Sequence, residues 1–201
     1  MDEPTPTALC FGQKAADDPV YARYHDDEWG RPVHGEAALF ERIALEGFQV
    51  GLSWRTVLHK REAFRRAFAG FDPATVAVFT NDDVDRLAGD PGIIRNRAKI
   101  VACVRGARAV LAMHEAGETL DALVWGFAPA VRQRPTAASR PSATPEAEAL
   151  AKALRQRGFL FVGPVNTYAT MQACGLVNDH VRGCPAGDRL DHATKGGDHD
   201  V

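Results

Sequence analysis

The chain has 201 residues, 45% of them hydrophobic and 25% charged, with a formal net charge of −2. That is apolar content enough for one domain, or a compact pair of lobes, with a real core. A balance so close to neutral excludes a protein held to nucleic acid by bulk positive charge, and no run reaches the roughly 18 apolar residues of a membrane span.

In chain order the signals are mostly helical. The start, Met1-Asp-Glu-Pro-Thr-Pro-Thr, lacks the basic and apolar regions of a secretory signal, so a cytoplasmic protein is expected. Glu36 to about Val57 reads as one long helix, and Arg61 to Phe68 as another after a short break. Asp72-Pro73 opens a helix through Phe79, with the aspartate as N-cap and the proline at N1. Asn81-Asp82-Asp83 caps Val84 to Leu87, and Asn96 to Met113 is a long helix closed near Gly117. Ser142-Ala-Thr144-Pro145 opens Glu146 to Arg157, which Gly158 stops. Phe159 to Val162 reads as a strand without a partner strand, and Thr167 to Leu176 as a last core helix. Val131 to Pro141, rich in Arg, Pro and Ala, reads as an exposed connection. The remainder from 186, acidic and poor in apolar groups, reads as a disordered tail to 201. The expected fold is all-α with short loops: one unit over 1–185.

The helix from Glu36 is apolar on most sides. Leu39, Ile43, Val50 and Trp54 form one stripe, and Leu45, Phe48 and Leu52 lie on another side. Only Arg42, Glu46, Gln49 and Ser53 form a polar strip. Glu46 therefore lies either at a thin solvent edge or in an internal pocket, where Trp54 would supply an aromatic floor for a flat ligand.

The four cysteines, without a signal segment, point to metal ligation or buried thiols. Cys103 and Cys174 sit in apolar surroundings and read as core thiols. Cys10 and His25 near the start, with His180 and Cys184 near the end, are a set that suits tetrahedral Zn²⁺. His180 and Cys184 are four apart, so on a helix both side chains would project from one face. A metal held by all four would clasp the two ends of the chain together; the alternative is two chance cysteines and two unrelated histidines.

The charge is uneven. Residues 52–110 carry eleven Lys/Arg against six Asp/Glu. The clusters Arg55, Lys60, Arg61, Arg65, Arg66 and Arg95, Arg97, Lys99, Arg105, Arg108 are either solvated helix faces or a phosphate-binding surface. Within 83–105, Leu87-Ala-Gly-Asp-Pro-Gly-Ile-Ile-Arg-Asn-Arg-Ala-Lys-Ile100 joins two helices through a tight turn. Consecutive N–H groups there, before a helix N-terminus, suit phosphate, as in a helix-hairpin-helix.

Four segments resemble the DNA-3-methyladenine glycosylase I family. They are Tyr21-Ala-Arg-Tyr-His25-Asp-Asp-Glu-Trp-Gly30, Leu45-Glu-Gly-Phe-Gln-Val-Gly-Leu-Ser-Trp54, Gly92-Ile-Ile-Arg-Asn-Arg-Ala-Lys99 and Met171-Gln-Ala-Cys-Gly-Leu-Val-Asn-Asp-His180. The resemblance implies an all-α helix-hairpin-helix glycosylase, with one structural Zn²⁺ on Cys10, His25, His180 and Cys184. It implies hydrolysis of the N-glycosidic bond of 3-methyladenine in duplex DNA, leaving an abasic site with no lyase step.

By the same resemblance Glu46 is the catalytic carboxylate, accepting hydrogen bonds from adenine's amino edge in the base pocket. Tyr21 and Tyr24 are pocket tyrosines and Trp54 is the stacking ring. The DNA contacts implied are Gly92, Ile93, Ile94, Arg95, Arg97 and Lys99, with Leu52 plugging the gap left by the extruded nucleotide. A monomer is expected. One departure stands out. The family commonly has Trp two residues after the first cysteine; here Phe11 and Gly12 follow Cys10, and Phe11 either replaces that ring or packs. Two other classes stay distinguishable. A binding module without catalysis could lose Glu46, and a zinc hydrolase would need an open metal position.

Overall fold

The computed structural model describes residues 5–130, 134–136 and 139–196. Among the described residues there are twelve α-helices: α1 Pro6–Phe11, α2 Gln13–Ala16, α3 Pro19–Asp27, α4 Glu36–Gln49, α5 Trp54–Ala67, α6 Pro73–Ala77, α7 Asn81–Gly89, α8 Arg97–Glu115, α9 Leu120–Trp125, α10 Pro145–Gln156, α11 Pro164–Ala173 and α12 Pro185–Gly196. No strand occurs among the described residues, so the expected strand at Phe159 to Val162 is not formed. The all-α reading stands.

Side-chain caps set most of the starts. Thr5, Asp18, Ser53, Asp72, Thr80, Asn96, Thr119 and Thr144 each accept from an amide of the following turn. Thr80 and Asp83 form a reciprocal capping box, one residue earlier than the expected cap at Asn81.

Helix α4 is the central element, packed by α5, α8, α9 and α11. Leu39, Phe40, Leu45 and Phe48 are fully buried on it, with Phe40 meeting Phe71 and Phe48 meeting Phe64 and Phe68. Gly106 lets α8 lie close: a Cβ there would sit 3.1 Å from Phe40 and 3.4 Å from Phe159.

Two expectations about continuity fail. The helix from Glu36 ends at Gln49 and a new one starts at Trp54, so Arg61 to Phe68 is the second half of α5. The cause is local. Gly51 adopts φ +80, and Ser53 caps Thr56, which together reverse the chain. Val50, placed by periodicity on the apolar stripe, is exposed as a result.

The expected disordered tail is the second correction: from Pro185 it is helical to Gly196, and 197–201 lie outside the described residues. The acidic residues that made it look disordered are its anchors. Arg134 pairs with Asp188 and, at 3.2 Å, with Asp191, while Asn178 Nδ2 donates to Asp191 Oδ1 at 2.8 Å. Part of the exposed connection, 131–133 and 137–138, is likewise outside the described residues.

Candidate active site and metal centre

The two ends of the chain meet at a buried cluster. Cys10 on α1, His25 on α3, His180 and Cys184 bring one donor atom each to within 4.8 Å of the others. His180 Nδ1 lies 3.8 Å from Cys10 Sγ, 3.4 Å from Cys184 Sγ and 3.1 Å from His25 Nε2, and Cys184 Sγ lies 3.6 Å from His25 Nε2. A tetrahedral zinc with bonds of about 2.3 Å to sulfur and about 2.0 Å to nitrogen has donor–donor edges of roughly 3.3–3.8 Å. The four spacings of 3.1–3.8 Å lie close to those edges, in a cluster whose donor atoms all lie within 4.8 Å of one another.

The outer ring nitrogens are also engaged. His25 Nδ1 contacts Asp26 Oδ1 at 2.7 Å, and His180 Nε2 meets the Trp29 carbonyl at 3.0 Å. That is the support that fixes tautomer and ring orientation in histidine ligands. The four residues can hold a metal.

Phe11 packs beside this cluster. Its ring centroid is 4.5 Å from Trp29, 5.2 Å from Tyr21 and 5.5 Å from His25, and Arg140 lies 6.0 Å above it. It bridges the cluster to the tyrosine of α3.

Glu46 is buried, not at a solvent edge, and one carboxyl oxygen has no hydrogen-bond partner. Burial pushes its carboxyl up to about 8, with Arg42 acting in the opposite sense. It lines a cavity of about 330 Å³ with Gln49, Val50, Gly51, Leu52, Val165, Asn166 and Ala169.

Tyr21 and Tyr24 on α3 are near enough to feel its charge. Burial first, and Glu46 second, push Tyr21 up to about 12 and Tyr24 well above its usual range. Trp54 at the start of α5 is 5.4 Å from Tyr24, with its indole N–H buried and unpartnered. The structure therefore brings Glu46, Tyr21, Tyr24 and Trp54 together, with Leu52 exposed at the rim.

Asp18 ties the walls to each other. Its Oδ1 accepts from the Val20 and Tyr21 amides of α3, and its Oδ2 from Arg55 Nε at 2.5 Å and His59 Nε2 at 2.7 Å on α5.

The hairpin is formed by α7, residues 90–96 and α8. Asp90 Oδ1 accepts from Gly92 N at 2.7 Å, and Lys60 Nζ donates to the Pro91 and Gly92 carbonyls. A Cβ on Gly92 would lie 3.1 Å from Ala63, so the turn rests on α5. Arg95 and Arg97 are exposed, Arg97 being ion-paired with Asp85, and Ile94 is half-buried.

Two expected contacts are corrected. Ile93 is a core residue whose amide is used by the Asp90 carbonyl at 3.4 Å. Lys99 is buried, and its ammonium caps the end of α4 through the carbonyls of Phe48 and Val50. The phosphate-surface reading of the wider basic clusters shrinks for the same reason. Arg55, Arg61 and Arg65 pair with Asp18, Glu28 and Glu41, and Arg108 holds the Ala77 and Phe79 carbonyls.

The cavity residues of α11, and Glu28 and Asp18, were not singled out from sequence, and Arg42 was read only as part of a polar strip. Gly163-Pro164 could have marked a helix start, but its position across from Leu52 is a tertiary fact.

Residues 14–187 match the family model of the methyladenine glycosylases. The chain is 52% identical over 170 residues to DNA-3-methyladenine glycosylase 1 of Escherichia coli, covering 83% of this chain and 91% of that protein. It is 47% identical over 169 residues to DNA-3-methyladenine glycosylase of Haemophilus influenzae, covering 83% and 91%. A solved structure of 3-methyladenine DNA glycosylase I from Staphylococcus aureus, which addresses 3-methyladenine recognition, superimposes with TM-score 0.84 at 37% identity, covering 90% of this chain and 97% of that one. This protein belongs to the methyladenine glycosylase family.

Proposed function

We infer that the chain is a base-excision DNA glycosylase that hydrolyses the N-glycosidic bond of 3-methyladenine in alkylated duplex DNA. The observation that carries this is the buried carboxyl of Glu46, which has one unpartnered oxygen, lines a cavity and lies close enough to Tyr21 and Tyr24 to add to burial in pushing both hydroxyls up, in a chain of this family. Methylation at N3 makes the base cationic, so it departs neutral without prior protonation. What remains is to extrude the nucleotide, recognise the base and stabilise charge growing on the sugar.

Glu46 does the recognising: its free oxygen accepts from the amino edge, and its charge complements the cation. A carboxyl poised near neutrality loses its proton readily when a positive base arrives. Trp54 and the tyrosines offer aromatic faces for stacking. Leu52 at the rim fills the vacated stack. No lysine lines the cavity among the described residues, and Lys99 is occupied at α4, which supports excision without a lyase step.

Contacts to phosphate come from the hairpin turn with Gly92, Ile94, Arg95 and Arg97. The metal is Zn²⁺ on Cys10, His25, His180 and Cys184, and its part is structural, since four protein ligands leave no open position. The protein acts as a monomer in the cytoplasm, chiefly on 3-methyladenine. Among the described residues no helix is long and apolar enough to cross a membrane.

Single-turnover release of free base from methylated DNA tests the reading. Excision of 3-methyladenine is expected from the native chain, strongly reduced in Glu46→Gln; absence of release from the native, metal-replete chain overturns it.

A further inference from the structure

The base pocket leaves one buried cation without a task. Arg42 sits on α4 one helical turn before Glu46, so the two side chains leave neighbouring positions on one face. Its side chain is 11% exposed, and Nη2 reaches Glu28 Oε2 at 3.3 Å. Glu28 is fixed in turn by Arg61, through bonds of 2.6 and 2.7 Å. Arg42 Nη1, a donor, and Glu46 Oε2, an acceptor, are both buried and both lack a partner among the described residues. Unsatisfied buried groups are costly and call for a functional account.

We propose that Arg42 is a positioning residue for excision: anchored by Glu28 and Arg61, it sets how readily Glu46 carries the negative charge that meets the cationic base. The proposal rests on the reading of Glu46 as the base-binding carboxylate.

The other titratable groups around Glu46 do not supply this influence. Helix α3 contributes Tyr21 and Tyr24, which burial keeps protonated. The end of α11 contributes Cys174, whose thiol burial pushes up to about 12. Lys99 of α8 is committed to the Phe48 and Val50 carbonyls. Arg42 is thus the positive charge that opposes the effect of burial at Glu46. Glu28 tempers it, because a carboxylate on the far side of the guanidinium offsets part of its charge.

The experiment follows the Glu46 carboxyl by carbon NMR titration, alongside the pH dependence of excision and of binding free 3-methyladenine. The metal-replete protein is compared with Arg42→Gln, Arg42→Lys and Glu28→Gln. Arg42→Gln should move the Glu46 titration, and the acid limb of excision, up by about one pH unit, a loss of about ten-fold near neutrality that closes at higher pH. Arg42→Lys should stay near the native profile.

Glu28→Gln, which leaves the Arg42 charge unopposed, should move the titration down. Should Arg42→Gln fail to fold, the direction of the Glu28→Gln shift decides alone. A uniform loss at every pH, with an unmoved titration in the folded variants, overturns the proposal, since mere packing predicts that. Glu46→Gln separates the two readings. Native behaviour there removes the pocket assignment itself; impairment there, with Arg42 and Glu28 variants that leave the titration unmoved, removes only this inference.

Discussion

Lys99 on α8 donates from Nζ to the carbonyl oxygen of Phe48 at 2.9 Å, at the end of the helix that carries Glu46. The ammonium sits where the last carbonyls of α4 lack intrahelical partners and where the helix dipole is negative. Helices α8 and α4 are thereby fastened as one body, so the phosphate grip proposed for the hairpin turn would place Glu46 at a fixed depth.

This separates two cations close in sequence. Lys99→Met should lower stability by about 1–3 kcal/mol, the cost of leaving buried carbonyls unpaired, with an unchanged salt dependence of DNA binding. Arg95→Ala should leave stability alone and reduce the slope of log affinity against log salt by about one. Urea denaturation and binding at several salt concentrations check both, and a reversed pattern would show that Lys99 faces DNA.

Glu46→Gln should slow excision by about ten- to a hundred-fold, the equivalent of one charge-assisted hydrogen bond. Stability should move the other way. The carboxyl titrates near 4.5 when unfolded and is pushed up to about 8 when folded. Between those values the folded state holds a proton that the unfolded chain does not, so stability falls as pH rises through the window. Glu46→Gln should therefore melt higher than the native chain near pH 8 and by a smaller margin near pH 5. Calorimetry at the two pH values decides; equal melting at both contradicts the buried assignment.

Zinc should be recovered at one equivalent per chain by elemental analysis. Its removal should lower the melting temperature, with activity lost as a consequence. Cys184→Ser and Cys10→Ser should each lose the metal and destabilise the fold, because α1, α3 and the C-terminal segment come apart together. Unchanged melting in a strong chelator would count against the metal.

Asp18→Ala removes the N-cap of α3 and its link to α5, and should cost at least the roughly 0.5–2 kcal/mol of a lost cap. Asp18→Asn keeps a capping oxygen but loses the charge. Hydrogen bonding from His59 first, then Arg55 and the Tyr21 amide, holds the Asp18 carboxyl down to about 2 from 3.8. Its stabilisation is present above 3.8 and is lost as pH falls toward 2, so Asp18→Asn should flatten the acid limb of the stability curve. Both variants should raise KM more than they lower kcat, since Tyr21 and Trp54 are the walls that drift apart.

Much of this was readable from the chain. Caps such as Asp72, Asn96 and Thr144 announced helix starts because a short side chain competing for an amide is a local event. The cysteine–histidine set was readable only as a possible clasp, since nothing local says that residues 10 and 184 meet. Glu46 was left between solvent and pocket because periodicity gives a face and not what lies against it. Lys99 was misplaced for a related reason: a lysine beside a phosphate-binding turn looks exposed until the end of α4 is brought to it. The helix at Pro185 escaped notice because Arg134, which pairs with its aspartates, lies 54 and 57 positions back in sequence.

The cluster of Cys10, His25, His180 and Cys184 also orders events in the life of the chain. Every residue assigned to base recognition lies within the first 54, yet the segment holding Tyr21 and Tyr24 is fastened through His25 to partners 155 and 159 positions downstream. During synthesis that segment has no anchor on this side until almost the whole polypeptide has left the ribosome. A transcript truncated before 180 would encode every residue proposed for base recognition but lack both downstream partners of His25, so loss of the segment from 180 onward is expected to be as damaging as loss of the first residues.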